Sequence, residues 1–411
     1  MAAFFLQRTL QKGKQTAARN HHGKARKPSK PFFLAEKKKG NFLQNESKIP
    51  ILTKSAKRRK ETVMKDTTLN LDMIRSEHFG PLYRFVQDPD VTDINYNGKD
   101  LWIDDLKKGS YKVDMELDDS FIAAFSTHMS NVVNQNFNKT NPLLEGETKD
   151  LRISILHESV SNTGRSICIR KTPVQKRYTG QQLIESNYCS QEILSLLINS
   201  VIAKISSVYC GVPGAGKTEL LKYLTAYIPD NEKTITIEDN LEIHYNDINP
   251  FKNGQEIRVS DIFSYEDALK ACLRMQPTRI LLSEARSREV KYLLEALSVG
   301  TSGMTTIHVE DVRKIPDRIV SMVGDNSVKD RTENDVYNFL DMGVLLSRKV
   351  YPDRIERKIE QVGFYYRKDD QNQQFLCYNN GIINRDLPEE IMEKYKKAGI
   401  INPFEYRGMI C

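Results

Sequence analysis

The residues with the clearest chemical meaning form a candidate phosphate-binding loop. The segment Gly211-Val-Pro-Gly-Ala-Gly-Lys-Thr218 matches the P-loop pattern, in which glycines let backbone N–H groups turn inward around phosphate oxygens. Lys217 can reach the β- and γ-phosphates of ATP, and the Thr218 hydroxyl can ligate Mg²⁺. We therefore predict that ATP and Mg²⁺ bind here. The predicted nucleotide-binding residues are Gly211, Gly214, Ala215, Gly216, Lys217, Thr218 and Glu219.

The flanking sequence predicts the strand and the helix that a P-loop requires. Ile205–Tyr209 is an apolar, β-branched run that is typical of a buried strand. Leucines and an isoleucine then recur at helical spacing until Pro229 ends the pattern. A helix in this position directs its N-terminal amides at the bound phosphate.

Three β-rich segments downstream of the P-loop end close to a polar residue: Glu238, Glu284 or His308. Because the C-terminal ends of parallel strands meet at one edge of a sheet, we expect these side chains to face the γ-phosphate together. Hydrolysis needs a carboxylate that positions or deprotonates the attacking water, and ligands for Mg²⁺. We predict Glu238 as the general base, with Glu284 as the alternative. Glu284 is also a predicted Mg²⁺ ligand, acting directly or through water.

Composition and periodicity predict an α/β protein built from several parts. Short strands around the hairpin turn Asn97-Gly98, and a helix over Phe121–Val133, indicate a mixed α+β domain. After the P-loop, strands and helices alternate as in a RecA-like parallel sheet, followed by an antiparallel extension. The predicted parts are a basic tail over 1–62, the α+β domain over 63–171, a hinge over 172–189, and the ATPase domain with its extension over 190–411.

Charge is distributed very unevenly along the chain. Residues 1–60 hold 17 Lys and Arg against two acids, a local charge of +15, so the other residues carry −8 of the total of +7. Such a tail is typical of a disordered segment, or of a tether to anionic lipid or nucleic acid.

The cysteine pattern and the hydropathy indicate the cellular compartment of the protein. The six cysteines are scattered without a Cys-x-x-Cys pair, which disfavours a disulfide framework and a zinc site and favours a reducing cytosol. No run of about 18 apolar residues predicts a membrane span. We expect a cytoplasmic protein that lies at the periphery of the cytoplasmic membrane.

Three further motifs resemble those of the type II/type IV secretion ATPases. Thr236–Glu242 is similar to their Asp box, Leu273–Arg286 to their atypical Walker B motif, and Gly303–His308 to their His box. The spacing also agrees, with 21 residues from Lys217 to Glu238 and 67 to Glu284. The likeness is strongest to the branch that serves tight-adherence (Flp) pili and conjugative channels, because the four-cysteine motif of the type II branch is absent.

The resemblance implies a function and further site residues. The family works as a ring-forming homohexamer that couples ATP hydrolysis to pilus assembly or to type IV or conjugative secretion, beside an inner-membrane component of the pilus or channel. Arg152 and Arg170 match family arginines that reach the nucleotide from the N-terminal domain, and His308 matches a γ-phosphate sensor. Arg274 and Arg286 are additional candidates for phosphate sensing.

Two other functions compete with this interpretation. The basic tail is compatible with a RecA-like nucleic-acid translocase, although the body of the chain has no evident platform of aromatic and basic residues. The Walker B motif also departs from the family at Ser283 and Ala285, which is compatible with a switch that binds ATP without hydrolysing it.

Overall fold

The computed structural model describes residues 76–260, 262–324, 329–351 and 354–410. The basic tail predicted over 1–62 lies outside the described residues, as does the beginning of the predicted α+β domain. Within the described part, no helix combines the length and the apolarity that crossing a bilayer requires.

The first part of the described chain contains a six-stranded antiparallel sheet with the order β3-β2-β1-β6-β5-β4. One face packs on helix α2 (Asp119–Val132), which begins after Asp118 and buries Ile122, Phe125 and Met129. A 3₁₀ segment, Ser76–Leu82, and helix α1, Tyr83–Gln87, complete this core. The strands are β1 (Val91–Tyr96), β2 (Leu101–Asp105), β3 (Gly109–Val113), β4 (Leu143–Glu147), β5 (Leu151–Leu156) and β6 (Ser166–Lys171).

The hairpin between β1 and β2 forms where the sequence predicts it. The Asn97 side chain accepts hydrogen bonds from the backbone N–H groups of Lys99 and Asp100, and Gly98 has a φ of +95°. Such a left-handed backbone favours glycine, and the Asn side chain supplies the turn's hydrogen bonds.

The second sheet has nine strands in the described residues, in the order β15-β14-β13-β12-β7-β11-β10-β8-β9. The strands from β12 to β9 in this order run parallel, and β13, β14 and β15 extend the sheet in antiparallel fashion. The strands are β7 (Ser207–Cys210), β8 (Thr234–Glu238), β9 (Gly254–Arg258), β10 (Arg279–Leu282), β11 (Ser302–Ile307), β12 (Met342–Val350), β13 (Ile355–Lys368), β14 (Gln371–Asn379) and β15 (Ile382–Ile383).

Helices cover both faces of this sheet and enclose two apolar cores. Buried residues of α4, α5 and α11 contribute to one core, and those of α7, α8, α9 and α10 to the other. The helices are α3 (Gly180–Glu185), α4 (Gln191–Ile202), α5 (Lys217–Thr225), α6 (Tyr245–Ile248), α7 (Tyr265–Met275), α8 (Glu289–Ser298), α9 (Ile315–Val323), α10 (Lys329–Phe339) and α11 (Glu389–Lys397); a 3₁₀ turn spans Val312–Lys314.

The α/β class, the parallel sheet and the antiparallel extension are therefore confirmed. The structure adds strands β3, β4 and β9 and the short helix α3, which lies within the predicted hinge. β3, β4 and β9 are edge strands. A strand paired on one side needs no continuous apolar pattern, and β9 (Gly-Gln-Glu-Ile-Arg) has no fully buried residue.

The C-terminal segment is anchored to the sheet through a buried carboxylate. Asp341, just before β12, accepts hydrogen bonds from the Ser206 backbone N–H and from the Lys394 ammonium on α11. Burial raises the pKa of Asp341, and the charge of Lys394 opposes that rise. Tyr395, also on α11, hydrogen-bonds to the Ser200 hydroxyl at 2.7 Å.

We predict that Lys394→Ala lowers the free energy of unfolding by about 1–3 kcal/mol, because Asp341 loses its charged partner while it stays buried. Lys396→Ala is a matched control on the same helix, since Lys396 pairs with the exposed Glu389 and such pairs contribute about 0–1 kcal/mol. Urea denaturation of the two variants measures the difference. Equal losses would show that the Asp341 contact does not anchor α11.

Candidate functional site

The P-loop joins β7 to α5 and is shaped by three glycines with positive φ. These are Gly211 (+141°), Gly214 (+74°) and Gly216 (+93°). A Cβ atom on Gly211 would lie 2.1 Å from the carbonyl oxygen of Leu346 on β12, so only glycine fits there. This geometry suits a loop whose backbone turns around an anion at the start of a helix.

Lys217 lies at the centre of the loop and is largely enclosed. Its Nζ donates to the Gly211 carbonyl at 2.9 Å and lies 3.3 Å from Nδ1 of His308. Burial lowers the pKa of Lys217, and the charge of Glu284 opposes the decrease. Within the described residues Lys217 forms no ion pair, so its charge is available to a phosphate group.

His308 and Glu284 meet beside Lys217, as the sequence predicts for the ends of neighbouring strands. Nε2 of His308 lies 3.0 Å from Oε1 of Glu284. The other carboxylate oxygen accepts from Nη2 of Arg286 at 2.9 Å, and Nη1 of Arg286 donates to Asp239 at 2.9 Å. Arg286 therefore connects the Walker B and Asp-box motifs, and its hydrogen bond to Glu284 raises its pKa.

Glu238, the predicted base, is at the end of β8 and is only 2% exposed. Its Oε2 accepts hydrogen bonds from the backbone N–H groups of Glu242 and Ile243, both at 2.9 Å. Its Oε1 is buried and has no hydrogen-bond partner among the described residues. Burial raises the pKa of Glu238 to about 8.

Glu242 belongs to the site, although the sequence did not single it out. Its Oε2 accepts from the Thr218 hydroxyl at 3.4 Å, at the position where Mg²⁺ is predicted. Burial raises the pKa of Glu242, and the charge of Arg170 opposes that effect. Glu242 follows a turn and not a strand end, so a search for strand-end acids passes over it, although it lies inside the Asp box.

The two predicted arginines of the N-terminal domain lie opposite each other, Arg152 on β5 and Arg170 on β6. Nε of Arg170 donates to Asp93 at 2.8 Å. The positive charge of Arg170 also acts to lower the pKa of Glu242 in the same chain. Nη2 of Arg152 lies 3.6 Å from Glu145. The structure therefore brings Arg170 towards the nucleotide site. Arg152 pairs with Glu145 within its own sheet, and in the amide orientation that satisfies both groups the Asn240 side-chain oxygen of the Asp-box loop accepts from Nη1 of Arg152 at 2.8 Å. Arg274 is exposed on α7.

The loop between β8 and α6, residues 239–244, also reaches the hinge. The buried His244 shares a hydrogen bond of 2.9 Å through Nε2 with the carbonyl of Thr172. On α5, the Lys222 ammonium donates to the next carbonyl, that of Pro173, at 2.8 Å. Two consecutive carbonyls of the hinge are therefore held from the ATPase region. One is held by His244, which lies shortly after the Asp box, and the other by Lys222 of the P-loop helix.

Two ion pairs join the β4–β5 hairpin to the second sheet region. Lys149 lies 2.8 Å from Asp247 on α6, and Glu147 lies 2.5 Å from Arg258 on β9. Because these residues flank the Asp-box loop, the N-terminal sheet contacts the same part of the chain that contacts Thr218.

The chain was compared with protein families, curated proteins and solved structures. Residues 138–370 match the family model described as "Type II/IV secretion system protein". An uncharacterised Bacillus anthracis protein is 26% identical over 296 residues, 70% of this chain and 67% of that protein. The VirB11 protein of Rhizobium radiobacter is 31% identical over 196 residues, 45% of this chain and 56% of its own length.

A solved structure shares the fold. The Yersinia pseudotuberculosis ATPase DotB superposes with a TM-score of 0.53 at 16% sequence identity, covering 79% of this chain and 83% of that chain. This likeness supports the predicted architecture of an N-terminal domain joined to a RecA-like domain. The predicted family is confirmed, whereas the Flp-pilus branch within it stays a prediction. The comparisons favour neither a nucleic-acid translocase nor a non-hydrolysing switch.

We predict that Glu238 makes stability fall as pH rises. Its pKa is about 8 in the folded chain, against an ordinary value of 4.5. Between these values the unfolded chain binds fewer protons than the folded chain, so the free energy of unfolding decreases with increasing pH. Glu238→Gln should flatten the slope between pH 5 and 8, measured by urea denaturation, while the exposed-site control Glu295→Gln should not. Identical slopes for wild type and Glu238→Gln would contradict the prediction.

Proposed function

Because the chain belongs to the family of type II/IV secretion system proteins, we propose that it hydrolyses ATP at the P-loop and converts hydrolysis into motion of the N-terminal domain. The work done by that motion is pilus assembly, or type IV or conjugative secretion. The observation that carries the proposal is the connection made by residues 238–247. Glu242 contacts Thr218, His244 contacts the hinge, and Asp247 pairs with Lys149 of the N-terminal sheet.

The residues at the P-loop suit a magnesium nucleotide. The Thr218 hydroxyl and the carboxylate of Glu284 are oxygen groups of the kind Mg²⁺ prefers, and Mg²⁺ in such sites takes few protein ligands and retains water. When bound, Mg²⁺ would neutralise charge on the phosphate oxygens. Lys217 would hold the β- and γ-phosphates. His308 lies next to Lys217 and would therefore be within reach of the same phosphates.

Two carboxylates are proposed for the role of general base. The sequence predicts Glu238, and the structure places Glu242 against Thr218. Glu238 fixes the loop that carries Glu242, because it accepts that loop's backbone N–H groups. In this arrangement Glu242 orients and deprotonates water. Glu284, which contacts His308 and Arg286, would ligate Mg²⁺ directly or through water.

The proposed working form is a homohexameric ring at the cytoplasmic membrane, beside an inner-membrane component of the pilus or channel. Arg152 and Arg170 would stabilise charge on the γ-phosphate when domains close or subunits meet. The basic segment 1–62 would bind anionic lipid or nucleic acid, since each basic residue near an anionic surface contributes about 1 kcal/mol.

The carboxylates can be separated by amide substitution. Loss of a general base slows turnover about 10²-fold or more while binding persists. Because Glu238 is buried and already accepts two N–H groups, we expect the larger fall in kcat from Glu242→Gln, with nucleotide affinity retained. Steady-state ATP hydrolysis and equilibrium titration with ADP measure the two quantities.

Lys217→Ala should abolish hydrolysis, and the exposed-site variant Glu295→Gln should leave it unchanged. A larger loss of kcat in Glu238→Gln than in Glu242→Gln would assign the base to Glu238. Hydrolysis by Lys217→Ala within threefold of wild type would refute the P-loop assignment.

Arg170→Ala should reduce kcat with little change in nucleotide affinity, because arginine fingers act on the transition state and contribute about 10³–10⁵ in rate. Specific activity of the wild type should rise with protein concentration as rings assemble, and the variant should lose that rise. Arg165→Ala is a control in the loop just before β6, where Arg165 pairs with Glu158. Concentration-independent turnover, or full activity of Arg170→Ala, would exclude the finger role.

A further inference from the structure

Three arginines lie beside the P-loop, at Gly214 or Glu219. Arg177 comes from the hinge, Arg348 from β12 and Arg357 from β13. Arg357 has two partners: Nε donates to the carbonyl of Gly214 at 3.0 Å, and Nη1 donates to the carbonyl of Leu106 at 3.1 Å. It therefore braces the P-loop against the β2–β3 turn.

Arg348 and Arg357 are direct cross-strand partners. Like charges in this position destabilise a sheet. Burial lowers the pKa of Arg357, and the charges of Arg348 and Arg177 add to that effect. One nearby acid, Glu219, pairs with Arg177 at 3.5 Å and with Lys222 at 3.7 Å. In the described part of the chain, the cluster therefore carries more positive than negative charge.

Two donors of the cluster have no hydrogen-bond acceptor within the described residues. They are Nε of Arg348 and Nε of Arg177, both buried, although the latter lies within ion-pair distance of Glu219. A buried donor without an acceptor costs about 1–3 kcal/mol. The Arg348 guanidinium lies close to the P-loop, with its Nη1 3.4 Å from the position of a Cβ on Gly214. A ligand with hydrogen-bond acceptors at this point would satisfy these unpaired donors.

The orientation of the P-loop indicates which part of a nucleotide lies near the cluster. Lys217 and His308 mark the γ-phosphate end, beside Gly211. Backbone N–H groups of the loop hold the α- and β-phosphates, so the nucleoside leaves the loop beyond Thr218. Arg177 contacts Glu219, the residue that follows Thr218. Arg348 lies near Arg177, because the charges of both lower the pKa of Arg357, to which Arg348 is paired across the strands.

We propose that Arg348 and Arg177 bind the nucleoside of the nucleotide held in the P-loop. This inference rests on the proposed ATP site. A guanidinium suits the task, because it stacks on aromatic rings such as a purine and carries several N–H donors for ribose and base acceptors. The cluster thereby distinguishes a nucleotide from an inorganic polyphosphate, which fills only the P-loop.

The test compares two probes, ADP and inorganic tripolyphosphate, titrated calorimetrically in the presence of Mg²⁺ into the full chain. Arg348→Ala should weaken ADP binding about 10- to 100-fold, the scale of a lost hydrogen bond to a charged group, and change tripolyphosphate binding less than about threefold. Arg348→Lys should fall between wild type and Arg348→Ala for ADP.

Lys349→Ala is the matched control. Lys349 is the next residue on β12 and pairs with Glu360 at 3.6 Å, so its loss removes one positive charge from the same strand without touching the P-loop. It should bind both probes like wild type. The unfolding midpoint of each variant verifies that it is folded.

The outcomes separate this inference from the proposed function. Equal weakening of both probes by Arg348→Ala, or unchanged ADP binding, would overturn the nucleoside-end assignment while leaving the ATP site intact. If tripolyphosphate does not bind the wild type, ADP alone tests the inference. Weaker ADP binding by Arg348→Ala than by Lys349→Ala supports it, and equal binding by the two variants overturns it. Failure of wild type to bind either probe, or binding that survives in Lys217→Ala, would instead refute the P-loop site itself.

Discussion

The buried carboxyl group of Glu238 constrains the candidate site more than any other single group. It accepts the N–H groups of Glu242 and Ile243 and thereby fixes the chain that leaves β8. If that chain moved, the contacts of Glu242 with Thr218, of His244 with Thr172 and of Asp247 with Lys149 would all change together. A carboxyl group with a raised pKa is suited to this role, because its neutral form can remain in an apolar interior.

The contacts between the N-terminal sheet and the ATPase region differ in kind. Lys149–Asp247 is largely exposed, and such pairs contribute little to stability. The hinge carbonyls of Thr172 and Pro173, in contrast, are held by the side chains of His244 and Lys222, which are almost fully buried. The Lys149–Asp247 contact can therefore open at low cost, while the hinge keeps its position. This arrangement is expected where ligand occupancy must shift a domain without unfolding it.

The sequence predicted that Glu284 and His308 lie together, but it predicted neither the burial of Glu238 nor the positions of the loops. Glu284 and His308 were expected together, because parallel strands end at one edge, and they lie 3.0 Å apart. Glu242 and the hinge contact of His244 could not be derived, because a turn between β8 and α6 sets their positions and turns have no periodicity. Arg348 and Arg357 were also missed, since their relevance depends on β12 lying beside β7, a pairing between segments more than a hundred residues apart. The edge strand β9 lacks the apolar pattern that would have revealed it.

The close approach of Gly211 to Leu346 has a consequence for synthesis of the protein. The P-loop is complete at Thr218, yet one wall of it is the backbone of β12, which the ribosome adds about 130 residues later. At elongation rates of about 5–20 residues per second, that interval lasts roughly 7 to 25 seconds. During it the nascent chain exposes β7 and a glycine-rich segment without the strand that confines them. A nucleotide therefore meets a P-loop with its β12 wall only after Leu346 has been added to the chain.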